Sequence, residues 1–146
     1  MMTTIDYLQV DGVISNKCQP YKGASEKCHY SCDSPLVPYQ KYYCKIGSLK
    51  VMTKADDIKK DLRENGPMMM GLQIYEDFMN YAKGIYKMTY GELVGGHAMK
   101  LIGYGIDAKE GEYWVLQNQW TTDWGDKGYI KIGAGEVGID SVALSC

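Results

Sequence analysis

Gly95-Gly96-His97-Ala98-Met99-Lys100-Leu101-Ile102-Gly103-Tyr104-Gly105 and, further on, Tyr113-Trp114-Val115-Leu116-Gln117-Asn118-Gln119-Trp120 decide how this chain folds. Both runs are apolar, rich in β-formers and bounded by Gly or charge, which predicts two strands. Asp107-Ala108-Lys109-Glu110-Gly111-Glu112 lies between them as a short polar loop, the usual hairpin connection. Folding about Ala108 and Lys109 pairs positions whose numbers sum to about 215–217, so His97 is expected across from Asn118 to Trp120. An Asn carbonyl oxygen there accepts from one ring N–H and fixes the tautomer, leaving the other ring nitrogen as a base. A neighbouring Trp keeps water off that bond and strengthens it. Taken singly, a His at a strand start is more often a satisfied core or surface residue, and an Asn before a Trp means little.

The chain has 146 residues, enough for one modest domain with its own core. A net charge of −2 with no basic run gives no reason to expect nucleic acid or an anionic membrane as partner. No apolar run reaches the length of a membrane segment. Met1-Met2-Thr3-Thr4-Ile5-Asp6 lacks a basic n-region and an apolar h-region, so no signal peptide is expected. Cys18, Cys28, Cys32 and Cys44 cluster, and Cys146 ends the chain. Such a cluster usually means disulfides in an oxidising compartment, with reduced thiols as the alternative. A zinc site needs tighter paired spacing than Cys28-x3-Cys32 with distant Cys18 and Cys44, so no metal is expected.

Along the chain, Ile5, Leu8 and Val13 suit the end of a helix begun upstream of Met1. Residues 22–39 are polar, carry Pro35 and Pro38 and read as loop, with His29 exposed in it. Residues 42–51 are β-like. Thr53-Lys54-Ala55-Asp56 suggests a capping box, Ala55, Ile58 and Leu62 follow at helical spacing, and Gly66-Pro67 ends the helix. Met68-Met69-Met70-Gly71-Leu72-Gln73-Ile74-Tyr75 reads as a buried strand, its methionines as adaptable core and not a metal site. A short helix over 76–81 and a short strand at Gly84-Ile85-Tyr86 follow.

Gly95-Gly96-His97-Ala98, Gly103-Tyr104-Gly105, Tyr113-Trp114, Asn118-Gln119-Trp120 and Trp124-Gly125-Asp126-Lys127-Gly128-Tyr129 together resemble the papain family of cysteine peptidases, in particular its cathepsin B-like branch. Asn16-Lys17-Cys18-Gln19-Pro20-Tyr21, Gly66-Pro67 and Tyr75-Glu76-Asp77-Phe78 resemble the same family. The resemblance implies an α+β fold: a papain-like right lobe over residues 49–146, with an antiparallel barrel-like sheet and a short helix. Residues 1–48 would be an irregular, Cys-rich remnant of the left lobe.

It implies His97 as base, Asn118 as the group that orients it, Trp120 as a shield, and no cofactor. It implies that Asp140, in Gly138-Ile139-Asp140-Ser141, lines the specificity pocket and accepts Arg or Lys there. By the same analogy Cys18 pairs with Cys44 and Cys28 with Cys32, leaving Cys146 free or paired outside the chain. The short span between cysteines offers only His29, so the paired-histidine occluding loop of cathepsin B is not expected.

The reaction needs a thiolate nucleophile and oxyanion donors. No cysteine here stands in the family's nucleophile context, and the family's oxyanion Gln is absent too. Gln119 also replaces the small Ser or Thr usual between the Asn and the Trp.

The implied function is therefore the His/Asn half of a cathepsin B-like peptidase, inactive alone and acting on peptides only if the nucleophile is supplied. The alternative is a non-catalytic papain-like subunit of a larger assembly. Either implies a protein partner over the His97/Trp120 face, the missing left lobe or another subunit. The family implies a lysosomal or secreted setting.

Overall fold

In the computed structural model, which describes residues 2–146, the two runs around His97 and Trp114 form neighbouring antiparallel strands. The chain divides into two units, residues Met2–Leu49 with Cys146, and residues Lys50–Ser145.

In the first unit, helix α1 (Met2–Val10) buries Ile5 and closes where Asp11 N and Gly12 N both donate to Tyr7 O, at 2.8 and 2.9 Å. Strand β1 (Val13–Ile14) pairs antiparallel with β2 (Lys41–Tyr42). The expected β run over 42–51 is thus broken: β2 ends at Tyr42, and a turn over 45–48 closes with Ser48 N donating to Lys45 O at 3.0 Å. Residues 15–40 form turns and irregular backbone, as their Pro and polar content dictates.

The disulfides correct the expected pairing. Cys18 joins Cys32, Cys44 joins Cys146, and Cys28 is an exposed free thiol. Local hydrogen bonding explains the first pair. Gln19 Nε2 donates to His29 O (3.0 Å) and Ser31 O (2.8 Å), and Asp33 N donates to Cys18 O (2.8 Å). The returning chain is thereby laid beside Cys18, which is 1% exposed, with Cys32 against it. Cys44 is held by its own N–H, which donates to Leu8 O (3.1 Å).

In the second unit, β3 (Lys50–Met52) leads into helix α2 (Ala55–Asn65) and then β4 (Met68–Tyr75). A 3-10 turn (Glu76–Asn80), β5 (Ile85–Tyr86), β6 (Leu93–Asp107), β7 (Gly111–Gln117) and β8 (Tyr129–Gly133) follow. A second 3-10 segment (Glu136–Ser141) and β9 (Ala143–Ser145) complete it. The strands form one sheet in the order β3-β9-β4-β6-β7-β8-β5. All its pairs are antiparallel except β5 with β8, and β3 and β5 are its two edges. The expected antiparallel sheet with one short packed helix is present, as an open sheet with one parallel edge pair.

Alternation builds the core. Met68, Met70, Leu72 and Ile74 of β4, Trp114 and Leu116 of β7, and Ile130 and Ile132 of β8 are all buried. Full burial of each such side chain stabilises by roughly 1.5–3 kcal/mol. Helix α2 adds Ile58, fully buried, with Ala55 and Leu62 beside it. Its cap departs from the expected box. Lys54, not Thr53, is the N-cap, because Lys54 O accepts from Ile58 N (3.0 Å), and no side chain caps the end. Asp56 and Asp57 in the first turn supply the favourable charge instead. Gly66, at φ 91°, ends the helix where a side chain would be strained.

The β6–β7 hairpin corrects the expected register by one. Its last pair is Asp107↔Gly111, so the turn centres on Lys109. Asp107 Oδ1 accepts from Lys109 N (2.8 Å) and Glu110 N (3.0 Å), and these two bonds hold its carboxyl below the usual range. A bulge between Leu101 and Gly103 then absorbs one residue, giving Leu101↔Leu116 and Lys100↔Gln117. That compensation restores the expected register at the His97 end of the strand.

Candidate active site

His97 lies in the part of β6 that pairs with β4 and not with β7. The β4 ladder runs along β6 from Leu93 to Leu101, with His97 opposite Leu72, while the ladder with β7 stops at Lys100↔Gln117. Beyond Gln117 the chain leaves the ladder, and Asn118 N donates instead to Gly128 O (2.9 Å). This departure turns the Asn118 side chain onto the ring. His97 Nε2 and Asn118 Oδ1 are 2.9 Å apart.

A second bond decides which way the proton points. Gln119 N donates to Asn118 Oδ1 at 2.9 Å. A backbone N–H can only donate, so the amide oxygen faces this side. His97 Nε2 is then the donor of its pair, and in the neutral ring Nδ1 keeps the free lone pair. Asn118 is 8% exposed, so the bond is shielded from water, and its Nδ2 has no hydrogen-bond partner among the described residues.

Trp120 covers the bond. Its ring stacks on the imidazole at 4.9 Å between centroids and 30° between planes. Behind it, Phe78 and Trp124 form an aromatic nest: Phe78 lies 5.8 Å from Trp120 and 5.1 Å from Trp124, and the two indoles are 5.3 Å apart. The loop presenting the indoles is tightly wound. Thr121 takes φ 67°, unusual for a β-branched residue. Gly125 (φ 63°) leaves no room for a Cβ, which would meet Tyr129 O at 2.7 Å.

Asp77 anchors the segment behind Phe78. Its carboxylate accepts from Tyr86 Oη (2.6 Å), Thr89 N (2.8 Å), Thr89 Oγ1 (3.1 Å) and Tyr90 N (3.3 Å). Burial is the largest single influence on Asp77 and pushes its pKa up. The hydrogen bonds from Tyr86, Thr89 and Tyr90 together outweigh it and hold the carboxyl below its ordinary value. Burial, then the bond to Asp77 and its charge, push the Tyr86 phenol up. Sequence reading gave Asp77 no role. Its only signal was an acid within an apolar stretch, and the partners that satisfy it are 9–13 residues away.

His97 borders a cavity of about 710 Å³ whose walls include Leu72, Gly96, Gly138, Ser141 and Val142. Asp140 does not line it. Its Oδ1 accepts the Trp114 indole N–H, and its Oδ2 accepts from Gly135 N at 2.7 Å. Both carboxylate oxygens of the expected pocket acid thus have structural donors, in a segment where Gly135, Val137 and Gly138 take left-handed backbone.

Four of the five cysteines are in disulfides, and Cys28 is an exposed free thiol in irregular backbone. Among the described residues no cluster of His, Cys, Asp and Glu is arranged to hold a metal, and no helix is long and apolar enough to cross a membrane.

Comparison with known proteins identifies a family. Residues 1–145 match the family described as papain family cysteine protease. The chain is 36% identical over 156 residues to cathepsin B-like protease 1 of Arabidopsis thaliana, covering 95% of this chain and 41% of that protein. It is 35% identical over 122 residues to cathepsin B-like cysteine proteinase 3 of Ostertagia ostertagi, covering 78% of this chain and 70% of that protein. Among solved structures, procathepsin B S9 from Trypanosoma congolense superposes with a TM-score of 0.85 at 30% identity, over 97% of this chain and 50% of that one. The chain spans less than half the length of most of the curated relatives it matches.

Proposed function

The chain belongs to the papain family of cysteine proteases, in its cathepsin B-like branch, and from that premise we propose that it supplies the His/Asn half of a peptidase site. The observation that carries the reading is the 2.9 Å bond between His97 Nε2 and Asn118 Oδ1, roofed by Trp120 beside an open cavity. His97 Nδ1 takes the proton of a thiol brought by a separate polypeptide segment. The thiolate attacks a peptide carbonyl, and the imidazolium returns the proton to the leaving amine. Asn118 keeps the ring in the tautomer and orientation this requires, and Trp120 excludes water from their bond.

Two further parts of the reading follow from chemistry. Without the nucleophile the covalent route does not exist, so these 146 residues do not hydrolyse peptides unaided. A protein partner carrying the nucleophile covers the His97/Trp120 face and forms the other wall of the cleft.

The test is to assay the purified chain on a fluorogenic Arg-containing peptide, alone and with the N-terminal half of a cathepsin B-like protease. Expected is no turnover alone, turnover in the mixture, and labelling of the added half by an alkylating cysteine-protease inhibitor. Turnover by the chain alone, with the label on one of its own cysteines, overturns the reading. Stable complex formation with no turnover favours the non-catalytic subunit instead.

A further inference from the structure

Gln119 is bonded at both ends. Its backbone N–H donates to Asn118 Oδ1 (2.9 Å), and its side-chain Nε2 donates to Ala98 O (3.1 Å), the carbonyl of the residue after His97. The second bond lies where the sheet offers nothing comparable. The β6–β7 ladder stops at Lys100↔Gln117, and the next backbone N–H, that of Asn118, turns away to Gly128 O. Past Gln117, the Gln119 amide ties the segment bearing Asn118 and Trp120 to the strand bearing His97.

With the His97–Asn118 bond this closes a ring of contacts: Ala98 to His97 through the backbone, His97 to Asn118, Asn118 to Gln119, and Gln119 back to Ala98. A Ser or Thr at 119 keeps the backbone donor but has too short an arm to reach the Ala98 carbonyl. We propose that Gln119 is a positioning residue: its side chain straps the 118–120 segment to β6 and so fixes the distance and tautomer of the His97–Asn118 pair. The strap matters to catalysis only under the proposed role of His97 as base, but its effect on the ring is measurable without turnover.

The measurement is ¹⁵N NMR of the imidazoles in the 146-residue chain, in whatever assembly it purifies. Only two histidines are present, so a His29→Gln variant assigns His97 directly. The parent should show a proton on Nε2 that exchanges slowly with water. Gln119→Met keeps the length and the backbone donor but loses the side-chain donor. It should speed exchange of that proton about two- to tenfold, the range of one net hydrogen bond, and populate the Nδ1–H tautomer. Gln119→Ser should act in the same direction, which guards against a defect peculiar to Met. Unfolding midpoints should move little, since the side chain is exposed. Parent-like exchange and tautomer balance in both variants overturns the proposal. Peptidase turnover enters none of these outcomes, so the strap and the catalytic role of His97 stand or fall separately.

Discussion

Trp114 donates its indole N–H to Asp140 Oδ1, joining the most deeply buried ring of β7 to the segment before β9. Trp114 is 1% exposed, so its N–H has no access to water if the acceptor is removed. An orphaned buried donor costs about 1–3 kcal/mol. Asp140→Ala should therefore lower unfolding stability by about that amount in urea denaturation, with a further loss from the freed Gly135 N–H. Were Asp140 instead a pocket acid facing solvent, the substitution would leave stability unchanged and alter only the preference for basic side chains.

Asp77 and Tyr86 make stability depend on pH at both extremes. Asp77 is held below its ordinary value of 3.8, so its contribution is complete above about pH 4 and is lost as pH falls through the lower folded-state value. Tyr86 is pushed above its ordinary value of 10.0, so its contribution is complete below that pH and declines as pH rises beyond it. Asp77→Asn should flatten the acid side of the stability profile. At neutral pH it should cost about 1–3 kcal/mol, because one end of an amide then meets donors it cannot accept from. Urea midpoints of parent and variant, measured from pH 2 to pH 7, check both; parallel curves would remove Asp77 as the titrating group.

How much of this was legible in the sequence depends on how local each constraint is. The β6–β7 hairpin and the His97–Asn118 contact were legible because period-2 alternation and a short turn limit the possible registers to a few. The turn was misplaced by one and the bulge at Ile102 was invisible, yet the two offsets cancel at His97. The cap at Lys54 was misread because Thr53-x-x-Asp56 satisfies a composition rule without the backbone placing Thr53 at the helix start. The disulfides were misread because pairing depends on how residues 19–33 fold back, through side-chain bonds of Gln19 that no spacing rule encodes. For Asp140 the resemblance implies a place at a pocket, but the sequence does not say that the Trp114 indole N–H and Gly135 N take its oxygens.

In a complex that supplies the nucleophile, His97 and Asn118 should lose different amounts. His97→Ala removes the proton acceptor, worth about 10²–10⁴-fold in kcat for general-base catalysis. Asn118→Ala leaves the base in place but frees the ring to take the other tautomer and to rotate away. Its loss in kcat should be smaller, with KM little changed, because neither effect touches substrate binding. Trp120→Ala should fall between parent and Asn118→Ala, since it exposes the His97–Asn118 bond to water without removing a partner. Steady-state kinetics on one peptide checks the order; a larger loss for Asn118→Ala than for His97→Ala would contradict the assigned roles.

The cysteine map gives the most direct check on the fold. Cys18–Cys32 spans 14 residues and Cys44–Cys146 spans 102, with Cα–Cα separations of 4.4 and 5.4 Å, both within the normal range for a bridge. Peptide mapping without reduction should recover these two cross-links and find iodoacetamide on Cys28 alone. The longer loop should matter more. In the chain-entropy view, closing about 100 residues restricts the unfolded chain by roughly 4–5 kcal/mol, against about 3 kcal/mol for a loop near 15. Cys44→Ser with Cys146→Ser should therefore lower the unfolding midpoint further than Cys18→Ser with Cys32→Ser. Burial modifies the comparison in one respect. Cys18 is 1% exposed, so its replacement also buries a hydroxyl, and Cys18→Ala with Cys32→Ala is the cleaner control. A map with Cys28 cross-linked to Cys32 would restore the nested pairing and contradict the backbone path from Gln19 to Asp33.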